Sequence, residues 1–148
     1  MADLIPIDEK TFVSGQIQPE DLDEIVAEGV RLIVINRPDG EAPFGQPTAK
    51  LLEAEAVRHG IAVLNLPFTA PTLTPEHVAL FAEALTNADG KILAFCRTGN
   101  RSTMLWAAAN VALGAPLDAV IRQAAEAGYD LKPAAQFIHD LGNSAVIE

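Results

Sequence analysis

The chain has 148 residues, 49% of them hydrophobic, and this size suits one globular domain, 1–148, with a continuous core. Twenty acidic side chains against ten basic ones give a net charge of −10, which opposes binding to nucleic acid and to anionic lipid. The first residues lack a cationic segment followed by a long apolar one, and no later apolar run approaches the roughly 18 residues that span a bilayer. We therefore expect a soluble, cytoplasmic protein without a nucleic acid or membrane partner.

Cysteine and histidine content restricts the chemistry further. The chain has one cysteine, so it forms no internal disulfide, and its three histidines are scattered and form no metal-binding set with it. We expect no metal and no cofactor. The cysteine is then either a reactive group or a small buried hydrophobe. The sequence leaves the oligomeric state open.

Apolar patterning and turn residues predict alternating strands and helices. Weak alternation indicates a strand within 5–14, centred on Phe12 and Val13, and a helix then begins at Pro19 and is ended by Gly29. A loop rich in proline, glycine and charge occupies 37–45. The other predicted strands are 31–36, 61–66 and 91–96, and the other predicted helices are 48–59, 74–85, 102–113, 116–127 and 133–141, the last ended by Gly142.

The order of these elements predicts the fold class. Strand and helix alternate through the first two thirds of the chain, and a helical tail follows. The runs at 31–36, RLIVIN, and at 61–66 lack polar alternation, which is typical of strands covered on both faces. The sequence thus predicts an α/β fold with a mostly parallel central sheet and helices on both faces.

The stretch 91–102, KILAFCRTGNRS, carries the strongest functional signal. A strand ends at Cys96, a polar loop follows, and a helix then begins, so that backbone amides and a helix N-terminus surround the thiol. These groups and Arg101 favour the thiolate over the neutral thiol. We predict an anion-binding site with Cys96 as nucleophile, against the alternative of an inert core thiol. The loop residues expected to bind substrate are Arg97, Thr98, Gly99 and Asn100.

Sheet geometry selects further candidates, because ligands bind outside the carboxyl ends of parallel strands. Arg37, Asp39 and Glu41 follow the strand at 31–36 and should share an edge with Cys96. We expect Arg37 to bind substrate. If the site has a general acid, we expect it to be Asp39 or Glu41, with Glu76 a weaker option, although Asp39 and Glu41 fit a solvated turn equally well. The remaining charged candidates divide between the two edges: Glu76 and His77 on the Cys96 side, His59 and Asp89 on the opposite side.

The loop also carries a family resemblance. The sequence from Cys96 to Ser102, CRTGNRS, resembles the C-x-x-x-x-R active-site loop of the phosphatase-like domain of beta-lactamase-hydrolase-like proteins and their free-standing bacterial relatives. Ser14-Gly15-Gln16, the stretch 36–41 and the sequence Ala-Gly-Tyr-Asp-Leu ending at Leu131 are similar to that family's other recurrent stretches. The resemblance covers about 5–141 and implies a fold like that of dual-specificity phosphatases.

Two departures from tyrosine and dual-specificity phosphatases keep the reaction open. Those enzymes have one residue more between cysteine and arginine than the four found here, and they carry an acidic residue where this chain reads LNLPFT at 64–69. The short loop equally resembles that of single-domain rhodaneses, in which the cysteine carries a persulfide.

Three functions therefore remain as hypotheses. The favoured one is a cysteine-dependent phosphatase acting on an anionic small molecule or phosphorylated substrate, in which Cys96 attacks phosphorus, Arg101 and loop amides hold the oxygens, and Ser102 bonds the departing thiolate. The second is sulfur transfer through a Cys96 persulfide. The third is a non-catalytic module that binds a phosphorylated partner.

Overall fold

A computed structural model describes residues 2–147 and is built around one five-stranded sheet in the order β1-β2-β5-β3-β4. The strands are β1 (Ile5–Pro6), β2 (Thr11–Ser14), β3 (Val30–Ile35), β4 (Ala62–Asn65) and β5 (Lys91–Phe95). β2, β5, β3 and β4 run parallel to one another, and β1 pairs antiparallel with β2 at one edge. The predicted mostly parallel sheet is confirmed.

Within the described residues, six α-helices surround the sheet: α1 (Leu22–Ala27), α2 (Ala49–Arg58), α3 (Pro75–Asn87), α4 (Asn100–Ala112), α5 (Leu117–Glu126) and α6 (Ala135–Ser144). Short 3₁₀ turns precede α1, α3 and α6, at Pro19–Asp21, Ala70–Thr72 and Lys132–Ala134. Thr48 and Thr74 cap α2 and α3 by accepting hydrogen bonds from amides of the first turn. Among residues 2–147, no helix has the length and apolar character needed to cross a membrane.

Two apolar layers cover the two faces of the sheet, as alternation along each strand requires. Ile92 and Ala94 of β5 face a core shared with α3, α4, α5 and α6, in which Trp106 and Phe81 are the largest buried side chains. Leu93 and Phe95 face the opposite core, which α1 and α2 cover. Helices therefore lie on both faces, as predicted.

The predicted strand centred on Phe12 and Val13 is confirmed as β2, but the segment 5–14 contains two strands and not one. The two strands form a hairpin, in which Ile5 pairs with Val13 and Pro6 with Phe12. The reversal is closed by the Ile7 amide, which donates to the Thr11 carbonyl at 2.9 Å, and by the Lys10 amide, which donates to the Asp8 carboxylate at 2.8 Å. A short carboxylate that bonds the backbone two residues on stabilises such a turn.

The predicted end of the last helix at Gly142 was also wrong, because α6 continues to Ser144. Gly142 is buried where α6 crosses α4, and a Cβ atom there would lie 2.6 Å from Val111 Cγ1. The glycine permits close helix packing and does not terminate the helix. The predicted start of α4 at Ser102 was late by two residues, since the helix begins at Asn100.

Candidate active site

Cys96 lies directly after β5 at the carboxyl edge of the parallel strands. Its amide donates to the Ser14 carbonyl at 3.3 Å, which extends the pairing of β5 with β2 by one bond. Its side chain is buried, with 1% of the residue exposed. The Gly99 amide donates to Cys96 Sγ at 3.1 Å, so a backbone N–H already points at the sulfur.

Gly99 turns the loop into α4. Its φ of +93° lies in the left-handed region, which residues with a Cβ rarely adopt, and it occupies the N-cap position of α4. The Gly99 carbonyl accepts from the Thr103 amide at 2.9 Å and from Thr103 Oγ1 at 2.8 Å. The positive end of the α4 dipole and the amides of its first turn thus face the same space as Cys96 Sγ.

Arg101 lies in the first turn of α4, and hydrogen bonds hold the two terminal nitrogens of its guanidinium. Its Nη1 and Nη2 donate to the two carboxylate oxygens of Glu41 at 2.9 and 2.8 Å, and Nη1 also donates to the Phe68 carbonyl at 3.0 Å. The hydrogen bond to Glu41 is the main cause that raises the pKa of Arg101, and the nearby charge of Cys96 raises it further. A permanently charged guanidinium therefore lies beside the sulfur.

Glu41 joins this arginine to a second one. Arg37 Nε donates to Glu41 Oε1 at 2.9 Å, and Arg37 Nη1 donates to Gln16 Oε1 at 3.0 Å. The hydrogen bond from Arg101 is the largest cause that lowers the pKa of Glu41, and Arg37 lowers it further, against the opposing effect of burial. The carboxylate is ionised at neutral pH, so its position favours holding Arg101 over donating a proton.

Ser102 lies in a buried hydrogen-bond chain behind the loop. Ser102 Oγ donates to Asn36 Oδ1 at 2.8 Å, and Asn36 Nδ2 donates to the Leu66 carbonyl at 3.0 Å. Ser102 and Asn36 are both fully buried. The chain ties α4 to the ends of β3 and β4, and in this structure the Ser102 hydroxyl is directed at Asn36.

The remaining predicted residues lie at the rim of the site or away from it. Asp39 is exposed, and its Oδ1 accepts from the Ala49 amide at the start of α2 at 2.9 Å. Arg97, Thr98 and Asn100 are exposed around the mouth of the loop. The carboxylate on the 37–45 loop that reaches Arg101 is thus that of Glu41.

The edge assignment of the other charged candidates agrees with the structure. The His77 ring lies tilted against that of Phe68, whose carbonyl contacts Arg101, with the ring centroids 5.6 Å apart, and His77 Nδ1 lies 2.7 Å from Thr74 Oγ1. His59 and Asp89 border one depression at the opposite edge. Among residues 2–147, no group of three or more histidine, cysteine, aspartate or glutamate side chains could hold a metal ion.

The sequence did not predict the contacts of two residues that shape the site, Gly15 and Tyr129. Gly15 approaches the loop so closely that a Cβ there would lie 2.9 Å from the Arg97 carbonyl oxygen. Tyr129, after α5, donates from its hydroxyl to the Thr98 carbonyl at 3.1 Å, although 31 residues separate them in sequence. Burial raises the pKa of the Tyr129 phenol, and the negative charge of Cys96 raises it further. Both residues belong to stretches that carried the family resemblance, and that was the available signal.

The sheet order and the helices on both faces give the chain the α/β fold of tyrosine and dual-specificity phosphatases. Residues 3–113 match the family described as beta-lactamase hydrolase-like protein, phosphatase-like domain, and the chain belongs to this family. A beta-lactamase hydrolase-like protein from Xylella fastidiosa strain Temecula1 is 32% identical over 108 residues, which is 73% of this chain and 25% of that protein. One from Agrobacterium fabrum is 30% identical over 119 residues, 80% of this chain and 26% of that protein. The chain spans about a quarter of the length of these relatives.

Solved structures share the fold over nearly the whole chain. A candidate phosphatase from Neisseria meningitidis Z2491 superposes with a TM-score of 0.81 at 29% identity, covering 93% of this chain and 97% of that one. Tk-PTP in its active form has a TM-score of 0.73 at 19% identity, covering 95% and 97%. PTPMT1 has a TM-score of 0.75 at 16% identity, covering 95% and 94%. The predicted resemblance and the dual-specificity-phosphatase-like fold are confirmed.

Proposed function

We propose that the domain hydrolyses phosphate monoesters through a phosphocysteine intermediate on Cys96. The observation that carries the proposal is the convergence of three groups at the N-terminus of α4: the Cys96 sulfur, the Gly99 N–H at 3.1 Å from it, and the guanidinium of Arg101. Membership of a phosphatase-like family and structural similarity to phosphatases support the same chemistry.

The reaction proceeds in two displacements at phosphorus. The Cys96 thiolate donates an electron pair to form an S–P bond, and the bond from phosphorus to the leaving oxygen breaks with its pair. A water oxygen then attacks phosphorus, the S–P bond breaks, and inorganic phosphate and the thiolate are released. Arg101 and the loop amides stabilise the charge on the equatorial oxygens in both steps. The earlier expectation that Ser102 donates to the departing thiolate remains part of this proposal and requires its hydroxyl to turn from Asn36.

In this scheme Glu41 positions the guanidinium of Arg101 by accepting hydrogen bonds from Nη1 and Nη2. The edge of the guanidinium that faces away from Glu41 is left for phosphate. Its lowered pKa disfavours the protonated form that a general acid needs. Asp39, on the same loop, remains a candidate acid, although its carboxylate is engaged at the start of α2. Without an efficient acid, aryl phosphates should react faster than alkyl phosphates, because aryl oxides need less protonation to leave.

The substrate is an anionic phosphorylated molecule. The rim offers Arg97, Thr98 and Asn100, the loop supplies Gly99, and Arg37 adds a second buried cation behind Glu41. A fold relative, PTPMT1, has been crystallised in complex with PI(5)P, which supports phosphate-bearing ligands for this site. The chemistry proposed belongs to this domain, and the activity of the longer relatives as whole proteins does not enter it.

Steady-state rates on p-nitrophenyl phosphate, beside thiocyanate formation from thiosulfate and cyanide, test the proposal. We expect phosphate release that Cys96→Ser abolishes and that Arg101→Lys lowers strongly, because lysine cannot hold two oxygens in one plane. Glu53→Gln, at an exposed position of α2, serves as the matched surface control and should keep the rate.

Three outcomes would overturn the phosphatase assignment. Phosphate release that survives Cys96→Ser would exclude the phosphocysteine route. Cysteine-dependent thiocyanate formation without phosphate release would assign the loop to sulfur transfer. Binding of phosphate or vanadate with neither activity would assign it to a non-catalytic module.

A further inference from the structure

One peptide unit of the active-site loop is hydrogen-bonded at both of its polar ends. The peptide between Thr98 and Gly99 directs its N–H at Cys96 Sγ, at 3.1 Å, and its carbonyl accepts from the Tyr129 hydroxyl, at 3.1 Å. The two bonds lie on opposite sides of the same rigid plane. Tyr129 and the nucleophile are thus connected through a single peptide group.

Tyr129 is itself fixed from two directions. Its amide donates to the Ala124 carbonyl at 2.9 Å, at the end of α5, and its ring packs against the helical core. Leu131, two residues on, is buried with 2% of its surface exposed. At its other end the hydroxyl sits so close to Gly99 that a Cβ atom on Gly99 would collide with it. The phenol therefore occupies the space that the missing side chain leaves.

We propose that Tyr129 is a positioning residue that sets the orientation of the Thr98–Gly99 peptide, so that its N–H and not its carbonyl faces the Cys96 sulfur. Rotation of this plane by half a turn would present the Thr98 carbonyl dipole to the thiolate and to substrate phosphate oxygens, and both contacts would be repulsive. The role in turnover rests on the proposed phosphatase function, whereas the role in stabilising the thiolate does not.

The electrostatics of the phenol suit a permanent donor. Burial and the charge of Cys96 both raise the pKa of Tyr129, so the hydroxyl keeps its proton at neutral pH. Its hydrogen bond to a carbonyl acceptor requires that proton. A glycine at position 99 allows the left-handed φ of +93° but also leaves the adjacent peptide free to rotate, which is the freedom that Tyr129 removes.

The test compares Tyr129→Phe with Tyr129→Leu by the rate of Cys96 alkylation with iodoacetamide as a function of pH. Phenylalanine keeps the ring and removes the hydroxyl, whereas leucine removes both. We expect the midpoint of the alkylation curve to rise by about one pH unit in both variants, a tenfold loss of thiolate below the midpoint, because the sulfur loses a hydrogen bond that favours its charged form. The charged groups near the sulfur, Arg101, Arg37 and Glu41, are unchanged in both.

The comparison separates orientation from packing. A Tyr129→Phe midpoint equal to that of the unmodified protein, with a shift in Tyr129→Leu alone, would overturn the proposal and leave the ring as a packing group. Equal midpoints in all three proteins would overturn it as well. Since alkylation needs no turnover, these results stand whether or not p-nitrophenyl phosphate is hydrolysed. If it is, kcat for Tyr129→Phe should fall about tenfold, and this loss should diminish above the raised midpoint.

Discussion

Replacing Glu41 with glutamine tests how the guanidinium of Arg101 is held. The carboxylate accepts from Arg101 Nη1 and Nη2 at 2.9 and 2.8 Å and from Arg37 Nε at 2.9 Å. Glutamine keeps the length of the side chain but removes its charge, and one carboxylate oxygen is replaced by an NH₂ group that repels the arginine donors. Arg101 would then donate only one hydrogen bond to the side chain at position 41, in addition to the bond from its Nη1 to the Phe68 carbonyl.

The size of the effect follows from the geometry and the exposure of the pair. A bidentate contact between arginine and carboxylate is stronger than a neutral hydrogen bond. The Arg101 and Glu41 side chains are 17% and 24% exposed, so solvent screens part of this interaction. We take a loss of about 1–2 kcal/mol in transition-state binding, which corresponds to roughly five- to thirtyfold in kcat/KM.

The assay is kcat/KM on two substrates that differ in leaving group, p-nitrophenyl phosphate and an alkyl phosphate. If Glu41 positions Arg101, both substrates should lose the same factor, because the phosphoryl group is common to them. Glu53→Gln makes the same charge change on the surface of α2 and should alter neither rate. Asp39→Asn, on the same loop as Glu41, tests the remaining acid candidate in parallel.

Two results would refute the positioning role. A loss confined to the alkyl phosphate would show that Glu41 protonates the leaving group, despite the arginines that lower its pKa. Unchanged rates on both substrates would show that helix α4 and the Phe68 carbonyl orient Arg101 without the carboxylate.

Three further predictions concern stability. Ser102→Ala should destabilise the domain by about 1–3 kcal/mol in urea unfolding, because it leaves the buried side-chain oxygen of Asn36, Oδ1, without its donor. A change within error would contradict the chain of hydrogen bonds. Gly142→Ala should lower the Tm by an amount that corresponds to about 1–3 kcal/mol of unfolding free energy, despite the better helix propensity of alanine, because the added Cβ would meet Val111 and the Ala108 carbonyl oxygen. A raised Tm would refute the close contact. The arginines lower the pKa of Glu41 below its ordinary 4.5, so its pair stabilises the fold above that value and is lost as pH falls through the lower folded pKa. The Tm difference between the protein and Glu41→Gln should be constant down to about pH 5 and shrink below it, and a difference independent of pH would refute the ion pair.

The sheet edge at which charged residues meet could be predicted from the sequence alone. Continuous apolar runs identified β3, β4 and β5. Because parallel strands place their carboxyl ends together, the sequence predicted Cys96 and Glu41 at one edge of the sheet. The order of elements also placed His59 and Asp89 at the other edge, where they are found. Such inferences succeed because they depend on chain direction, which local pattern determines.

Contacts between distant segments could not be predicted in the same way. The local sequence predicts that Gly142 ends a helix. The structure shows instead that Gly142 allows Val111, on another helix, to pack closely against it. Tyr129 belongs to a stretch that carries the family resemblance, but the sequence predicted no contact for it, and its hydrogen bond to Thr98 depends on how α5 and the loop after it pack beside α4. In each case the local sequence is compatible with several environments, and tertiary packing selects one of them.

The stretch 64–69, which lacks the acidic residue of tyrosine and dual-specificity phosphatases, contributes to the site through backbone hydrogen bonds. The Leu66 carbonyl accepts from Asn36 Nδ2, the Phe68 carbonyl accepts from Arg101, and the Phe68 amide donates to the Asn36 carbonyl at 3.1 Å. These bonds connect the stretch 64–69 to Asn36, at the end of β3, and to Arg101, in the first turn of α4. In the proposed mechanism, these backbone bonds position Asn36 and Arg101 and supply no proton to the leaving oxygen, and Asp39 remains the candidate acid. The proposed reaction should therefore depend steeply on how easily the substrate oxygen departs, and equal rates on p-nitrophenyl phosphate and an alkyl phosphate would indicate that Asp39 supplies the proton.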